Sequence, residues 1–225
     1  MKKTVLLAML FLATFTRSAT AEDREWVPYK KFVESSYLDK FYSAPANQRD
    51  KLKLLVKVTP VNKAISVSNI ALSVMHSGGK ELIPINADGV VNLIPNRGWM
   101  KENPMIYTSM PKGEKTSISV TFAAKAPENL RFNYVALMGS VRQWNELINE
   151  YAGLLRFVAP KLNGIELHFA KPAQQTLQLM TKEGVKTFTA DAKGSLKVKL
   201  DETWMKDDPQ IVLSEHPVEI EVSDL

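Results

Sequence analysis

The sequence contains no cysteine. It therefore has no disulfide staple, no thiolate metal site, no thiol nucleophile and no cysteine to carry a lipid anchor. Histidine is nearly as scarce, with His76, His168 and His216 the only three. No two of them stand at metal-ligand spacing, which argues against an imidazole-bound metal, and no cofactor is expected. A Gly-x-Ser-x-Gly nucleophile string is missing as well. Ser-x-x-Lys occurs at Ser77–Lys80 and Ser109–Lys112, without its usual Ser-Asp-Asn and Lys-Thr-Gly partner strings. The first of these, Ser77-Gly78-Gly79-Lys80, lacks the leading glycine of a phosphate loop and runs into a strand, so it reads as a hairpin turn. No segment beyond the N-terminal region is long and apolar enough to span a membrane as a helix.

That N-terminal region has the form of an export leader. Met1-Lys2-Lys3 is a short basic start, Val5 to Phe15 is mostly apolar, and Ala19-Thr20-Ala21 supplies small residues for a peptidase. The reading is a cleaved signal peptide over residues 1–21, of bacterial type, with cleavage before Glu22 and a periplasmic or secreted product. Cleavage removes Lys2, Lys3 and Arg17 and no acidic residue, and takes the formal charge from +5 to +2. A nearly neutral product gives no support to nucleic-acid binding. The 204 residues left of 225 can bury one or two ordinary cores without covalent staples.

The chain resembles itself at an offset of 105. Leu72–Ile106 aligns without a gap on Leu177–Ile211: Leu72 on Leu177, Met75 on Met180, Gly79 on Gly184, Gly89 on Gly194, and Trp99-Met100-Lys101 on Trp204-Met205-Lys206. Tyr29 and Phe32 fall on Tyr134 and Leu137 at the same offset. Leu54, Leu55, Val58, Pro60 and Ile65 align instead on Leu154, Leu155, Val158, Pro160 and Ile165, at an offset of 100. Two tandem copies of one unit are therefore expected, 22–122 and 130–225, joined by a linker at 123–129.

Each unit reads as a helix followed by strands. Tyr134, Leu137, Met138, Val141, Trp144, Leu147, Ile148, Tyr151, Leu154 and Leu155 recur at threes and fours, one apolar helical stripe ended by Ala159-Pro160. Val33, Tyr37, Leu38 and Phe41 make a shorter stripe in the first unit. The strand-like runs that follow are separated by turns at Ser77–Lys80, Ala87–Gly89 and Asp191–Gly194, with Asp88-Gly89 expected to supply positive φ values. Asn96–Pro104 and Asp201–Pro209 read as single helical turns. The fold class is α+β: two tandem copies of a helix followed by an antiparallel sheet of about five strands, with paired β-sandwiches as the alternative.

The duplicated Trp99 and Trp204 are the leading candidates for a ligand- or partner-binding site, as aromatic platforms for sugars or peptide side chains. The competing reading makes each a plug at the end of its unit's core. Trp26, with Arg131 in its place in the second copy, is a third candidate, as a lid or interface residue. Trp144 belongs to the helix stripe and reads as core. No residue is assigned a catalytic or metal-binding role. Tyr29-x-x-Phe32, the turn glycines before strands and Trp99-x-x-x-Asn103-Pro104, together with the leader, are similar to small exported proteobacterial proteins of unassigned function. That resemblance implies export and no activity. The sequence thus leads to an exported, periplasmic, non-catalytic binding or assembly protein whose partner is an envelope protein or glycan. The alternatives are a small hydrolase of an envelope polymer, using turn carboxylates such as Asp88, Glu102, Asp207 and Asp208, and a small-molecule or glycan carrier.

Overall fold

The computed structural model describes residues 23–151, 161–171 and 174–225. The predicted leader with its cleavage site, and the Leu154–Pro160 part of the helix stripe and its offset of 100, lie outside the described residues. The first half runs β1 (Arg24–Pro28), α1 (Tyr29–Ser35), α2 (Leu38–Ser43), β2 (Leu52–Pro60), β3 (Leu72–His76), β4 (Gly79–Ile83), β5 (Val90–Val91), α3 (Arg97–Glu102), β6 (Met105–Thr108) and β7 (Thr116–Ala124). The second runs β8 (Arg131–Asn133), α4 (Tyr134–Tyr151), β9 (Gly164–His168), β10 (Thr176–Thr181), β11 (Gly184–Thr189), β12 (Ser195–Lys199), α5 (Glu202–Asp207), β13 (Gln210–Leu213) and β14 (Glu219–Ser223). The class is α+β with antiparallel sheets.

The strands do not form one five-stranded meander per half. They divide among three sheets, two of four strands in the orders β1-β6-β3-β4 and β11-β10-β13-β8, and one of six in the order β12-β9-β14-β7-β2-β5. Each half places β1, β3, β4 and β6, or β8, β10, β11 and β13, in its own small sheet, and sends its other described strands to the large one. A short strand, β1 or β8, precedes each helix, and neither was expected from the sequence. Both are edge strands, and each pairs along three or four residues with the strand that follows the Trp-Met-Lys turn.

The halves meet at β7 and β14, where Glu221 pairs with Ala123. Ala123 and Ala124, at the start of the expected linker, are buried residues of β7, and Lys125, just past its end, donates its N–H to the Lys51 carbonyl. A hydrophobic cluster crosses this junction: Phe41, Ala44, Leu52 and Ala124 of the first half pack with Trp144, Ile165, Leu196 and Val222 of the second. Phe122 lies against Trp144 with ring centroids 3.9 Å apart. A second cluster, around Tyr29, Phe32, Val56, Leu72 and Ile106, belongs to the first half alone.

Helix α4 buries the stripe from Tyr134 to Leu147, as its periodicity requires. The shorter stripe breaks. Tyr37 adopts a left-handed conformation (φ 57°) and is exposed, which separates α1 from α2. Buried Ser36 donates its hydroxyl to the Phe32 carbonyl at 2.7 Å, beside the helical bond from its own N–H to the same carbonyl at 3.0 Å, and the Tyr37 N–H turns to the Glu34 carbonyl instead of the helical acceptor. At the turn before β5, only Gly89 has positive φ (85°), and Asp88 does not. Asn86 closes that turn, its Oδ1 accepting from the N–H groups of Asp88 and Val90. Asp191 does the same before β12, toward Lys193 and Ser195, with Gly194 at φ 80°. Val58 and Phe169 donate to the carbonyls of these two turn glycines at 2.8 and 2.9 Å. Val58 and Phe169 thus hold the same place at these two turns.

Candidate functional site

The duplicated strings fold into two matching brackets. Each short helix, α3 or α5, begins at an N-cap side chain, Asn96 or Asp201, that accepts from the two N–H groups at its start. Each ends at a residue in the left-handed conformation, Asn103 (φ 53°) or Asp208 (φ 46°). The side chains of these end residues then cap a different helix. Asn103 Oδ1 accepts from Lys30 N–H at 3.0 Å, and Asp208 Oδ1 from Val135 N–H at 2.8 Å, each in the first turn of the helix that opens its half. The first opening helix has no side-chain cap of its own at Pro28. The prolines that follow complete the join, with Tyr29 N–H donating to Pro104 O and Tyr134 N–H to Pro209 O.

Trp99 and Trp204 close these brackets. Trp99 stands edge-on to the buried Tyr29 ring at 5.3 Å and beside His76 at 5.1 Å. Trp204 stands edge-on to buried Tyr134 at 5.7 Å, with the Lys186 ammonium 4.9 Å from its ring centre. Both are half-buried. The tyrosine hydroxyls accept from the N–H groups of the N-cap residues, Asn96 at 2.8 Å and Asp201 at 3.0 Å. Burial pushes the Tyr134 phenol up to about 12 and raises that of Tyr29 as well. Trp26 packs 5.6 Å from Phe32 in the first-half cluster. The structure thus places Trp26 and Trp99 in one cluster and Trp204 in the other, and gives each aromatic neighbours that hold it in place. Trp144 is core, 7% exposed.

The turn carboxylates are dispersed. Glu102 accepts from the Ser77 N–H and hydroxyl, Asp207 pairs with Lys182 at 2.6 Å, and Asp208 caps α4. Asp88 lies elsewhere, on the rim of a groove. Among the described residues, no two of the four share a hydrogen-bond or ion-pair partner. Among the described residues, no group of three or more His, Asp and Glu side chains is arranged to hold a metal ion.

Two features that sequence reasoning missed lie on the outer face of the six-stranded sheet. The first is a polar cluster where β12, β9 and β14 run side by side. Ser195 is paired in register with His168, and Lys197 with Glu166, which in turn pairs with Glu221. The Ser195 hydroxyl donates to Glu166, Lys197 lies 3.4 Å from Glu166, and His168 lies 3.8 Å from Glu221. The Ser195 hydroxyl and then the Lys197 ammonium hold the Glu166 carboxyl below the usual carboxylate range. A carboxylate stabilised in its charged form is a weak base, and the serine is bonded to it rather than to the imidazole, so the cluster is poorly set up for nucleophilic catalysis.

The second feature is an open groove of about 480 Å³ over β5, β2, β7 and the start of β14. Its floor is Leu55, Ser119, Thr121 and Ala123, with Lys53 and Lys57 on one strand and Asn86, Asp88, Val218 and Glu219 at its margins. The register explains the composition. Lys53, Leu55 and Lys57 alternate with the inward-facing Leu54, Val56 and Val58, and sit opposite Ala123, Thr121 and Ser119.

Comparison with known proteins yields one relationship. The chain belongs to a protein family of unknown function (DUF2987). The family model matches residues 26–169, which span the first half, β8, α4 and β9. No curated protein and no solved structure matches the chain. The matched span contains the first bracket and both lysines of the groove, whereas Trp204 and the strands from β10 onward lie outside it.

Proposed function

We propose that this is an exported, periplasmic, non-catalytic binding or assembly protein, built from two copies of one unit, with the outer face of the shared six-stranded sheet as its binding surface. The observation that carries the reading is the groove over β2 and β7: it lies on the sheet to which both halves contribute. The brackets at Trp99 and Trp204 use the duplicated residues for packing and capping, which favours the sheet face over the tryptophans as the place for a partner. Engagement of Glu102, Asp207 and Asp208 in turn, ion-pair and capping contacts weighs against a hydrolase. The exposed edge strands β4 and β11 offer main-chain groups for strand addition beside the same halves. The matching element order, the matching brackets and the equivalent turns at Gly89 and Gly194 support the duplication.

The test is site-directed photocrosslinking in intact cells. A photoreactive residue at Thr121, on the groove floor, is expected to give a discrete adduct with an envelope component, and the same residue at exposed Val61 is not. Equal or absent adducts at both positions would reject the sheet face as the binding surface. Processing at Ala21 is checked separately, by N-terminal sequencing of the product.

A further inference from the structure

The groove carries a more specific assignment, which rests on the binding reading above. We infer that it takes an extended acidic peptide, laid along β2 and β7 with acidic side chains four residues apart over Lys53 and Lys57 and an apolar side chain between them over Leu55.

Charge is the first argument. Lys53 and Lys57 are exposed and enter no ion pair with the described residues, whereas Lys197, also on the outer face of this sheet, lies 3.4 Å from Glu166. Two unpaired ammonium groups on one strand face lower their mutual repulsion by binding an anion. The acids at the groove margins narrow the line on which an anion can lie. Asp88 stands at the turn before β5 and Glu219 on β14, on opposite sides of the β2–β7 pair. An anion is repelled from both flanks and is left the strip above the two lysines.

Shape and spacing are the second. The floor between the lysines is small or short-chained, Ser119, Thr121 and Ala123, so a backbone can approach the sheet closely. Ser119 and Thr121 make no side-chain hydrogen bond among the described residues, and their hydroxyls can serve a peptide's carbonyls and N–H groups. Lys53 and Lys57 lie four residues apart on one strand, a separation of about 13 Å at strand rise. An extended peptide with acids at its first and fifth positions repeats that distance, and its third side chain points the same way, toward Leu55. Among the described residues no aromatic ring lines the groove to give a platform for a sugar ring, and this favours a peptide over an anionic glycan.

The experiment titrates the mature chain, residues 22–225, with the blocked peptide Glu-Ser-Leu-Ser-Glu, its Gln-Ser-Leu-Ser-Gln counterpart and polygalacturonate. Binding is followed by calorimetry and by backbone amide shifts. The acidic peptide is expected to bind, to shift the amides of β2 and β7, and to weaken roughly tenfold in Lys53→Gln/Lys57→Gln, as befits two exposed charge pairs. Both lysines are exposed, so the double variant is expected to keep the wild-type melting point, which is measured alongside. Retained affinity in the folded double variant, equal binding of the glutamine peptide, or binding of polygalacturonate alone would each overturn the assignment. Absence of peptide binding together with a Thr121 adduct in cells would remove the acidic peptide and leave the sheet face standing. Loss of both removes the binding reading itself.

Discussion

Replacing Tyr134 by phenylalanine tests the bracket that joins α4 to α5. The phenol is fully buried, accepts from the Asp201 N–H at 3.0 Å and donates to the Lys199 carbonyl at 3.2 Å. The ring and its contact with Trp204 survive in Tyr134→Phe, so the change isolates the hydroxyl. A buried hydrogen bond is worth about 1 kcal/mol net, and a partner left unsatisfied costs about 1–3 kcal/mol. The Asp201 N–H loses its acceptor at the edge of the core, so a loss of about 2 kcal/mol is expected, or roughly 4–8 °C in Tm for a chain of this size. Tyr29→Phe removes only the bond from Asn96 N–H, and about 1 kcal/mol is expected there. Urea unfolding followed by tryptophan fluorescence, with calorimetry, measures both. The pH dependence gives an independent readout. A phenol held at about 12 in the folded chain and near 10 when unfolded stabilises the fold below pH 10, and that contribution is lost as pH rises from 10 through about 12. Tyr134→Phe is therefore expected to flatten the alkaline loss of stability. A change of less than about 0.5 kcal/mol with an unaltered alkaline slope would refute the bracket as a source of stability.

Asp208→Ala removes the cap of α4 and leaves a Cβ residue without a polar tip in the left-handed region. A loss of about 1–2 kcal/mol is expected in urea unfolding, with Asp208→Asn recovering most of it. Gly89→Ala is expected to cost about 1–3 kcal/mol, because φ is +85° and the new Cβ would lie 2.5 Å from the Val58 carbonyl oxygen; calorimetry of the variant checks this. Trp144→Ala opens the junction between the halves beside Phe122 and is expected to cost about 3–5 kcal/mol, read from the urea midpoint. Ser195→Ala removes the first cause of the low Glu166 pKa, so the carboxyl should titrate closer to the usual carboxylate range by carbon-detected NMR. The lowered pKa stabilises the fold above the ordinary glutamate range and is lost as pH falls through it, so Ser195→Ala should also reduce resistance to acid.

Sequence reasoning read the brackets more fully than the sheets. The Trp-Met-Lys strings stood out because their residues act locally. A short helix with an Asn or Asp before it and an Asn-Pro or Asp-Pro after it is written in consecutive positions. What those end residues cap was not legible, because Lys30 and Val135 lie about seventy positions away in the chain. The first-half stripe was misread at Tyr37 for a related reason: its spacing fits a helix, and the left-handed backbone at Tyr37 ends it.

By itself the sequence determined the class of most elements, the turns, the residues of the two brackets and the absence of thiol chemistry. Each of these follows from residue identity or from a period of two or nearly four along the chain. Tertiary structure alone decided that the strands divide among three sheets, that β7 and β14 join the halves, that Lys53 and Lys57 face a groove, and that Ser195, Lys197 and Glu166 meet. Alternation says which side chains share a face of a strand, but an antiparallel strand can pair with any neighbour of matching pattern. Which strands become neighbours is settled by burial of the two clusters as a whole, and the surface features on the sheet follow from that choice.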